Sequence, residues 1–167
     1  MRLNPKPDLI EHLPRLRRYA RALTGDATRA DDLVQDTLER ALVKLDLWTP
    51  GSDLRAWLFT LMHNLFANQA RTRRPQDTAL DEALDIPVSG GQLEALATRD
   101  LQAALARLPD GQREVILLVG LEQFSYAEAA QVLGVPPGTI MSRLARARER
   151  MRQILADEPA VQLKVVK

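Results

Sequence analysis

The sequence has 167 residues, of which 46% are hydrophobic and 27% are charged, and it contains no cysteine. This composition is typical of a globular protein with one or two small domains, and it excludes a disordered tail as well as disulfide bonds and thiolate metal sites. No apolar run resembles a secretion signal or is long enough to span a membrane. We therefore expect a cytoplasmic protein without membrane insertion.

The first informative pattern, between Asp31 and Leu45, is that of an amphipathic helix. Its apolar face consists of Leu33, Val34, Leu38, Ala41 and Leu45. The opposite face consists of Asp32, Gln35, Asp36 and Glu39. An acidic face is not suited to DNA, which leaves two interpretations open. The acids either form a protein-binding surface or only favour the positive end of the helix dipole.

The next segment combines a turn at residues 49–52 with a helix cap at Asp53, and it predicts a helix from Leu54 to about Arg71. Its apolar side consists of Leu58, Leu61, Met62, Leu65 and Phe66. A neighbouring strip consists of Trp57, Asn64, Asn68 and Arg71, followed by Arg73 and Arg74. An aromatic ring, amides and cations can stack on single-stranded bases, bind their edges and contact phosphates. As an alternative, Trp57 is a core residue.

Charge is spread unevenly although the formal net charge is only +1. Residues 1–75 hold 13 basic and 9 acidic side chains, residues 76–98 hold 5 acidic and no basic ones, and residues 99–167 hold 10 basic and 8 acidic ones. The acidic segment also contains Pro87 and a Gly-Gly pair. We predict domains at 1–75 and 99–156, a flexible acidic linker at 76–98 and a tail at 157–167. A loop within one domain is the alternative.

Two helices joined by a tight turn are predicted beyond residue 124. Ser125 and Glu128 form a capping box, so that a helix begins near Tyr126, and Gly134 is suited to end it. Pro137 is favoured at the first position of the next helix. The buried stripe of that helix consists of Ile140, Leu144, Ala147, Met151 and either Ile154 or Leu155. An adjoining arc carries Thr139, Ser142, Arg143, Arg146 and Arg150.

This order of elements is that of a helix-turn-helix, whose second helix enters the DNA major groove. The alternative is an arginine-rich helix that faces only solvent. Alternating β-branched runs are missing, and Val115 to Val119 lie within a helical pattern, so we expect an all-α protein.

Catalysis has little support in the sequence. The two histidines, His12 and His63, lie far apart, no glycine-rich phosphate loop occurs, and Asp31 and Asp32 point to different sides of a helix. We therefore predict no catalytic residue, no cofactor and no metal site.

Four segments in order resemble extracytoplasmic-function (ECF) RNA polymerase sigma factors of bacteria, over about Leu13 to Leu155. These segments are DDLVQDTLERAL, LRAWLFTLMHNLFANQARTRR, LPDGQREVILLVGLEQ and FSYAEAAQVLGVPPGTIMSRLARAR. The last of them is also similar to the general-stress-response branch of the family. The resemblance implies two small helical domains, a sigma region 2 bundle and a sigma region 4 helix-turn-helix.

The resemblance also implies roles for the residues singled out above. The acidic face of Asp32, Gln35, Asp36 and Glu39 matches the surface that docks on core RNA polymerase. The loop with Ser52, Asp53 and Leu54 matches the one that captures a flipped base of the promoter −10 element. Trp57, Asn64, Asn68, Arg71, Arg73 and Arg74 would then lie near the melted strand, and Thr139, Ser142, Arg143, Arg146 and Arg150 would read the −35 element. Some relatives carry an aromatic ring where this chain has Leu54, so one stacking surface is missing.

Core polymerase, promoter DNA and an anti-sigma factor are the partners that the resemblance implies. A sigma-like decoy that only sequesters an anti-sigma factor, or a free-standing helix-turn-helix regulator, are the alternatives. Promoter elements about 17 base pairs apart are separated by roughly 60 Å at about 3.4 Å per step. A linker of about 24 residues can extend to about 80 Å but as a free coil averages about 27 Å. We therefore predict weak promoter binding without polymerase.

Overall fold

The computed structural model describes residues 7–72 and 92–157, with side chains in the second range from residue 98 onward. Within these ranges the chain forms helices and turns and no strand, which confirms the predicted all-α class. The helices are α1 (Leu13–Thr24), α2 (Ala27–Val43), α3 (Leu54–Thr72), α4 (Gln92–Ala106), α5 (Asp110–Ile116), α6 (Tyr126–Leu133) and α7 (Pro137–Asp157). In the described ranges, no helix is both long and apolar enough to cross a bilayer.

An N-terminal unit consists of α1, α2 and α3 packed against one another. Helix α1 ends at Gly25, whose φ of 70° lies in the left-handed region that glycine tolerates. Helix α2 begins at Ala27, four positions before the predicted pattern, because Asp26 caps it by accepting a hydrogen bond from the backbone N–H of Thr28 at 3.0 Å. Leu45 lies in a 3₁₀ turn beyond the end of α2 rather than on its apolar face.

Helix α3 begins as predicted, with the Asp53 carboxylate accepting a hydrogen bond from the N–H of Ala56 at 3.2 Å. It buries a wider surface than the apolar pattern indicated, because Phe59 is also in the core. The Phe59 ring meets Tyr19 of α1 edge-on at 5.1 Å between centroids and Phe124 at 5.2 Å. One aromatic side chain thus links the N-terminal unit to residues beyond α5.

A C-terminal unit consists of α4 to α7. Helix α6 has both hydrogen bonds of the predicted capping box, and it ends at Gly134 with φ 66°. Helix α7 begins at Pro137 and buries the predicted stripe, in which Ile154 rather than Leu155 is the last core residue. Between α5 and α6 a π-helical turn at Leu117–Leu121 is followed by Gln123, a non-glycine residue with φ 58°.

The two units pack against each other and share one continuous apolar core. Helix α3 packs against α6, and α1 packs against α4 and the π-helical turn. The predicted linker lies largely outside the described residues, as do Arg73 and Arg74 and the tail beyond residue 157. Helix α4 begins at Gln92, inside the segment assigned to the linker. The domain boundaries themselves stay predictions.

Candidate promoter and polymerase interface

The exposed side of α7 carries most of the predicted DNA-reading residues. Ser142, Arg146 and Arg150 are exposed, whereas Thr139 is half-buried. The Ser142 hydroxyl donates to the carbonyl of Thr139 at 3.1 Å. Polar and cationic groups therefore project from the first turns of the helix that a helix-turn-helix inserts into the major groove.

Arg143 differs from its neighbours because its guanidinium lies against the start of α5. A Cβ placed on Gly111 would lie 3.6 Å from Nη1 of Arg143 and 3.7 Å from Cζ. The arginine is half-buried in this position. It packs within the unit in this conformation, so reading a base would require another rotamer.

Two further residues of α7 were missed by the sequence analysis. Met141 is 56% exposed although it is large and apolar, and Ala145 is exposed one turn later. Both lie on the side of Ser142 that faces away from the rest of the predicted arc, because successive residues of a helix point about 100° apart. The sequence could have revealed this exposed residue, because Met141 lies outside the predicted buried stripe of α7.

The predicted single-strand strip on α3 is only partly exposed. Asn64, Asn68 and Arg71 are exposed, while Trp57 and Leu54 are half-buried and pack against the core. Trp57 therefore has a packing role as well as an accessible edge. Arg55, Phe59 and His63 of α3 contact the C-terminal unit. They lie on the opposite side of the helix from the strip, so the strip faces away from that unit.

The loop before α3 is held by its own polar groups. The Ser52 hydroxyl and backbone N–H both donate to the carbonyl of Thr49, at 2.6 and 3.1 Å. Gly51 adopts φ 89°, and Asp53 caps α3. These bonds fix the loop conformation without using its outer surface.

The predicted acidic face of α2 is exposed at all four positions, Asp32, Gln35, Asp36 and Glu39. Gln35 donates to Glu39 at 3.3 Å, which aligns the two side chains. A groove beside this face has a volume of about 600 Å³ and includes Arg17, Arg21 and Leu38. Leu42, which also lines this groove, is 62% exposed, and Val43 and Leu47 are 82% and 76% exposed. The sequence pattern did not identify this apolar patch, which adjoins the acids.

Polar contacts to two buried glutamates join the two units, and sequence reasoning missed them. Arg18 of α1 donates from Nε and Nη2 to the Oε1 atom of Glu122, at 3.3 and 3.1 Å. Arg55 of α3 donates to the Glu122 carbonyl at 3.0 Å, and its guanidinium carbon lies 4.0 Å above the Phe124 ring. His63 of α3 lies 3.0 Å from the carboxylate of Glu114 in α5.

Electrostatics at this junction affect Tyr19 and Arg113. Burial raises the pKa of Tyr19 well above its usual value, and the carboxylates of Glu114 and Glu122 raise it further. Burial lowers the pKa of Arg113, whose guanidinium donates to four backbone carbonyls, including that of Leu23 in α1 at 3.0 Å. Across the described ranges, no cluster of three or more metal-ligating side chains occurs.

Sequence models of two protein families match the chain. The sigma2 domain of PhyR matches residues 9–63, and sigma-70 region 4 matches residues 98–151. These two matches define the class as a two-region sigma protein. The ECF RNA polymerase sigma factor EcfG of Rhodopseudomonas palustris is 44% identical over 152 residues, covering 90% of this chain and 84% of that protein.

Two solved structures are also similar. The sigma factor RpoE of Bartonella quintana, solved in complex with the anti-sigma factor NepR, is 40% identical at a TM-score of 0.75, covering 90% of this chain and 96% of that one. CnrH, solved in complex with the cytosolic domain of CnrY, is 30% identical at a TM-score of 0.69, covering 90% and 86%. The chain belongs to the ECF RNA polymerase sigma factors, and its likeness to EcfG agrees with the general-stress-response branch.

Proposed function

We propose that the protein directs core RNA polymerase to a two-part promoter and helps to open its −10 region. The observation that carries this proposal is the division of its exposed surfaces. An acidic face lies on α2, an amide and arginine strip lies on α3, and a cationic face lies on α7. Sigma factors are initiation factors rather than catalysts, and we expect this one to act in the cytoplasm with the polymerase.

In this proposal the N-terminal unit carries two functions. Asp32, Gln35, Asp36 and Glu39 bind the polymerase, and the exposed Leu42 and Val43 add apolar contact area beside them. The loop at residues 49–54 takes up an extruded base, whose unstacking costs a few kcal/mol. The melted strand is bound by Asn64, Asn68, Arg71, Arg73 and Arg74. A base of that strand stacks on the accessible part of the Trp57 ring.

The C-terminal unit reads the −35 element through α7. Ser142 and Arg146 are the residues that we assign to base edges. Thr139 precedes these two residues on the same arc and Arg150 follows them, and both suit phosphates. Arg143 can contact the DNA only in another rotamer, in which its guanidinium no longer packs against Gly111.

In vitro transcription with purified core polymerase on a genomic library tests the proposal. Transcript starts that depend on the added protein and share two sequence elements are the expected result. A substitution of Asp36 to Lys should abolish these starts while the purified protein stays folded, since it reverses a charge on the polymerase face. If no start depends on the protein, the sigma-like decoy becomes the better description.

We also infer that an anti-sigma factor binds this chain, as the relatives solved with NepR and with CnrY support. A groove of about 720 Å³ lies between the units, with an apolar floor that includes Leu101, Leu105 and Leu121. Arg17, Arg18 and Arg21 line its other side. An amphipathic helix with acidic residues has the complementary shape and charge. Leu101→Glu should weaken binding of a purified NepR-type protein, and Arg15→Ala, outside the groove, should not.

A further inference from the structure

We propose that the groove between the two units binds a medium-chain fatty acid, with its carboxylate on Arg17 and Arg21 and its alkyl chain on the apolar floor. This interunit groove has a volume of about 720 Å³ and is lined by residues of α1, α4, the π-helical turn and Met151 of α7. The binding goes beyond the proposed promoter function and does not depend on it. Only its regulatory consequence rests on the anti-sigma interaction inferred above.

The size of the interunit groove suits a small ligand, since such sites have volumes of about 300 to 1,000 Å³. Its lining runs from Pro14 to Ala22 along α1 and from Thr98 to Leu105 along α4. At about 1.5 Å per residue, these stretches are about 12 Å and 11 Å long. An extended chain of about ten carbons has a similar length, because C–C bonds of about 1.5 Å advance by somewhat less in a zigzag.

The floor of the interunit groove is apolar. Four leucines contribute to it, namely Leu101, Leu105, Leu117 and Leu121. Leu101 is 48% exposed, so part of this apolar surface is in contact with water. The side-chain amide of Gln102, which also lines the groove, already donates to the carbonyl of Ala22 at 3.2 Å. Burial of hydrocarbon on the leucines is therefore the favourable interaction that this floor offers.

The α1 side of the interunit groove is cationic. Arg17 and Arg21 lie one helical turn apart on the same face, an arrangement in which like charges repel. Arg18 is paired with Glu122, but neither Arg17 nor Arg21 has an ion-pair partner among the described residues. The Nε atom of Arg21 is buried and, within the same ranges, has no acceptor.

One carboxylate satisfies both features of this arginine pair. An unpaired buried donor is costly, and a carboxylate accepts charge-assisted hydrogen bonds from guanidinium groups in a bidentate geometry. An anion bound between Arg17 and Arg21 would bond to Nε of Arg21 and remove the repulsion between the two cations. The cationic wall beside the leucine floor therefore matches a ligand with one carboxylate and one hydrocarbon chain.

The interunit groove has free space at the π-helical turn. Gly120 lines the groove, and a Cβ placed on it would meet no atom within 4 Å. Its φ is not positive, so the backbone at this position accepts a larger residue. Gly120→Leu therefore occupies space in the groove without displacing a neighbouring side chain, and it tests whether a ligand needs that space.

Isothermal titration calorimetry of the full chain with sodium decanoate, below its micelle-forming concentration, measures the binding. One saturable site is expected. Arg21→Gln should weaken it at least about tenfold because a charge-assisted hydrogen bond is lost, and Gly120→Leu should abolish it. The matched controls are Arg15→Gln, exposed on α1 outside the groove, and Gly138→Leu, exposed at the start of α7 with equally free space at its Cβ. Both should bind decanoate as the unchanged chain does.

Two analogues separate the parts of the ligand. Acetate lacks the alkyl chain and decyltrimethylammonium reverses the charge of the head group, so neither should bind in the concentration range in which decanoate saturates. Binding of decyltrimethylammonium as tight as that of decanoate would overturn the proposal. Tighter binding of decyl phosphate would overturn the assignment of the head group to a carboxylate.

Absence of saturable decanoate binding would refute the site and leave a helix of a protein partner as the occupant of the groove. Unchanged binding by both Arg21→Gln and Gly120→Leu would show that decanoate binds elsewhere, which equally refutes it. If Gly120→Leu loses its helical circular dichroism, the comparison of Arg21→Gln with Arg15→Gln decides.

A fatty acid in the interunit groove should compete with an anti-sigma factor, since the same groove is inferred to bind both. At about ten times its own dissociation constant, decanoate should raise the apparent dissociation constant of a purified NepR-type protein about tenfold by mass action. An unchanged constant would refute the competition. If the NepR-type protein does not bind even without decanoate, the anti-sigma inference fails instead, and the calorimetry still decides on the fatty acid site.

Discussion

Nδ1 of His63 lies 3.0 Å from the carboxylate of Glu114, joining α3 to α5 across the junction of the two units. The side chain of Glu114 is 6% exposed and that of His63 is 19% exposed. The interaction is separate from the ion pair between Arg18 and Glu122, and it involves one of the two histidines that the sequence analysis considered only as candidates for catalysis. It therefore offers an independent test of how firmly the units pack.

His63→Ala is expected to lower the free energy of unfolding by about 1 to 3 kcal/mol, because it removes a partner from a buried carboxylate. Urea denaturation followed by circular dichroism measures the change. Asn64→Ala, at the next and exposed position of α3, is the matched control and should change stability by less than about 0.5 kcal/mol. Equal effects of the two variants would contradict the structural role of the pair.

Stability should fall in alkaline solution because of Tyr19. Its folded-state pKa lies well above the unfolded value of about 10, so the fold favours the neutral hydroxyl. This contribution is fully present below the unfolded pKa and is lost as the pH rises above it. Tyr19→Phe should make the pH dependence of unfolding shallower between about pH 9 and 11.

Tyr126 provides the control for that measurement, since it is the second of only two tyrosines and is 40% exposed. Tyr126→Phe should leave the alkaline slope of the unfolding free energy unchanged. A slope that responds equally to both substitutions would show that burial of Tyr19 does not govern it.

Arg146→Ala should weaken use of the upstream promoter element by about 1 to 3 kcal/mol if the arginine reads a base. The loss should be concentrated at one base pair, which transcription from a set of single-base promoter variants can measure. Because Arg146 is exposed, the folded state should be unaffected. An equal loss on every upstream sequence would reduce Arg146 to a phosphate contact.

Arg143→Ala should act on the fold as well as on the promoter. The guanidinium packs against Gly111, so its removal should lower the unfolding free energy by about 1 kcal/mol, whereas Arg146→Ala should not. Thermal denaturation of the two variants provides the comparison. If both variants have wild-type stability, the contact of Arg143 with α5 does not stabilise the fold. A DNA-reading role would then be the better explanation for an arginine at this position.

Local chemistry in the sequence determined the secondary structure and many exposed residues. The capping box at Ser125, the left-handed Gly134 and Pro137 at the start of α7 act through neighbouring backbone groups, so a short stretch is sufficient to predict them. Helical periodicity likewise separated the buried stripe of α7 from its cationic arc and identified the exposed acids of α2. The start of α2 was missed because its cap precedes the first strongly apolar positions.

Tertiary structure alone decided how the two units meet. Glu114 and Glu122 read as ordinary surface acids, because the sequence does not reveal that His63 and Arg18 approach from helices that lie 51 and 104 positions away. Packing likewise placed Phe59 in the core and turned Arg143 onto Gly111. The periodicity of apolar residues shows which side of a helix is buried. Whether a charged side chain is buried depends instead on a partner from a distant part of the chain, and only the tertiary structure brings the two together.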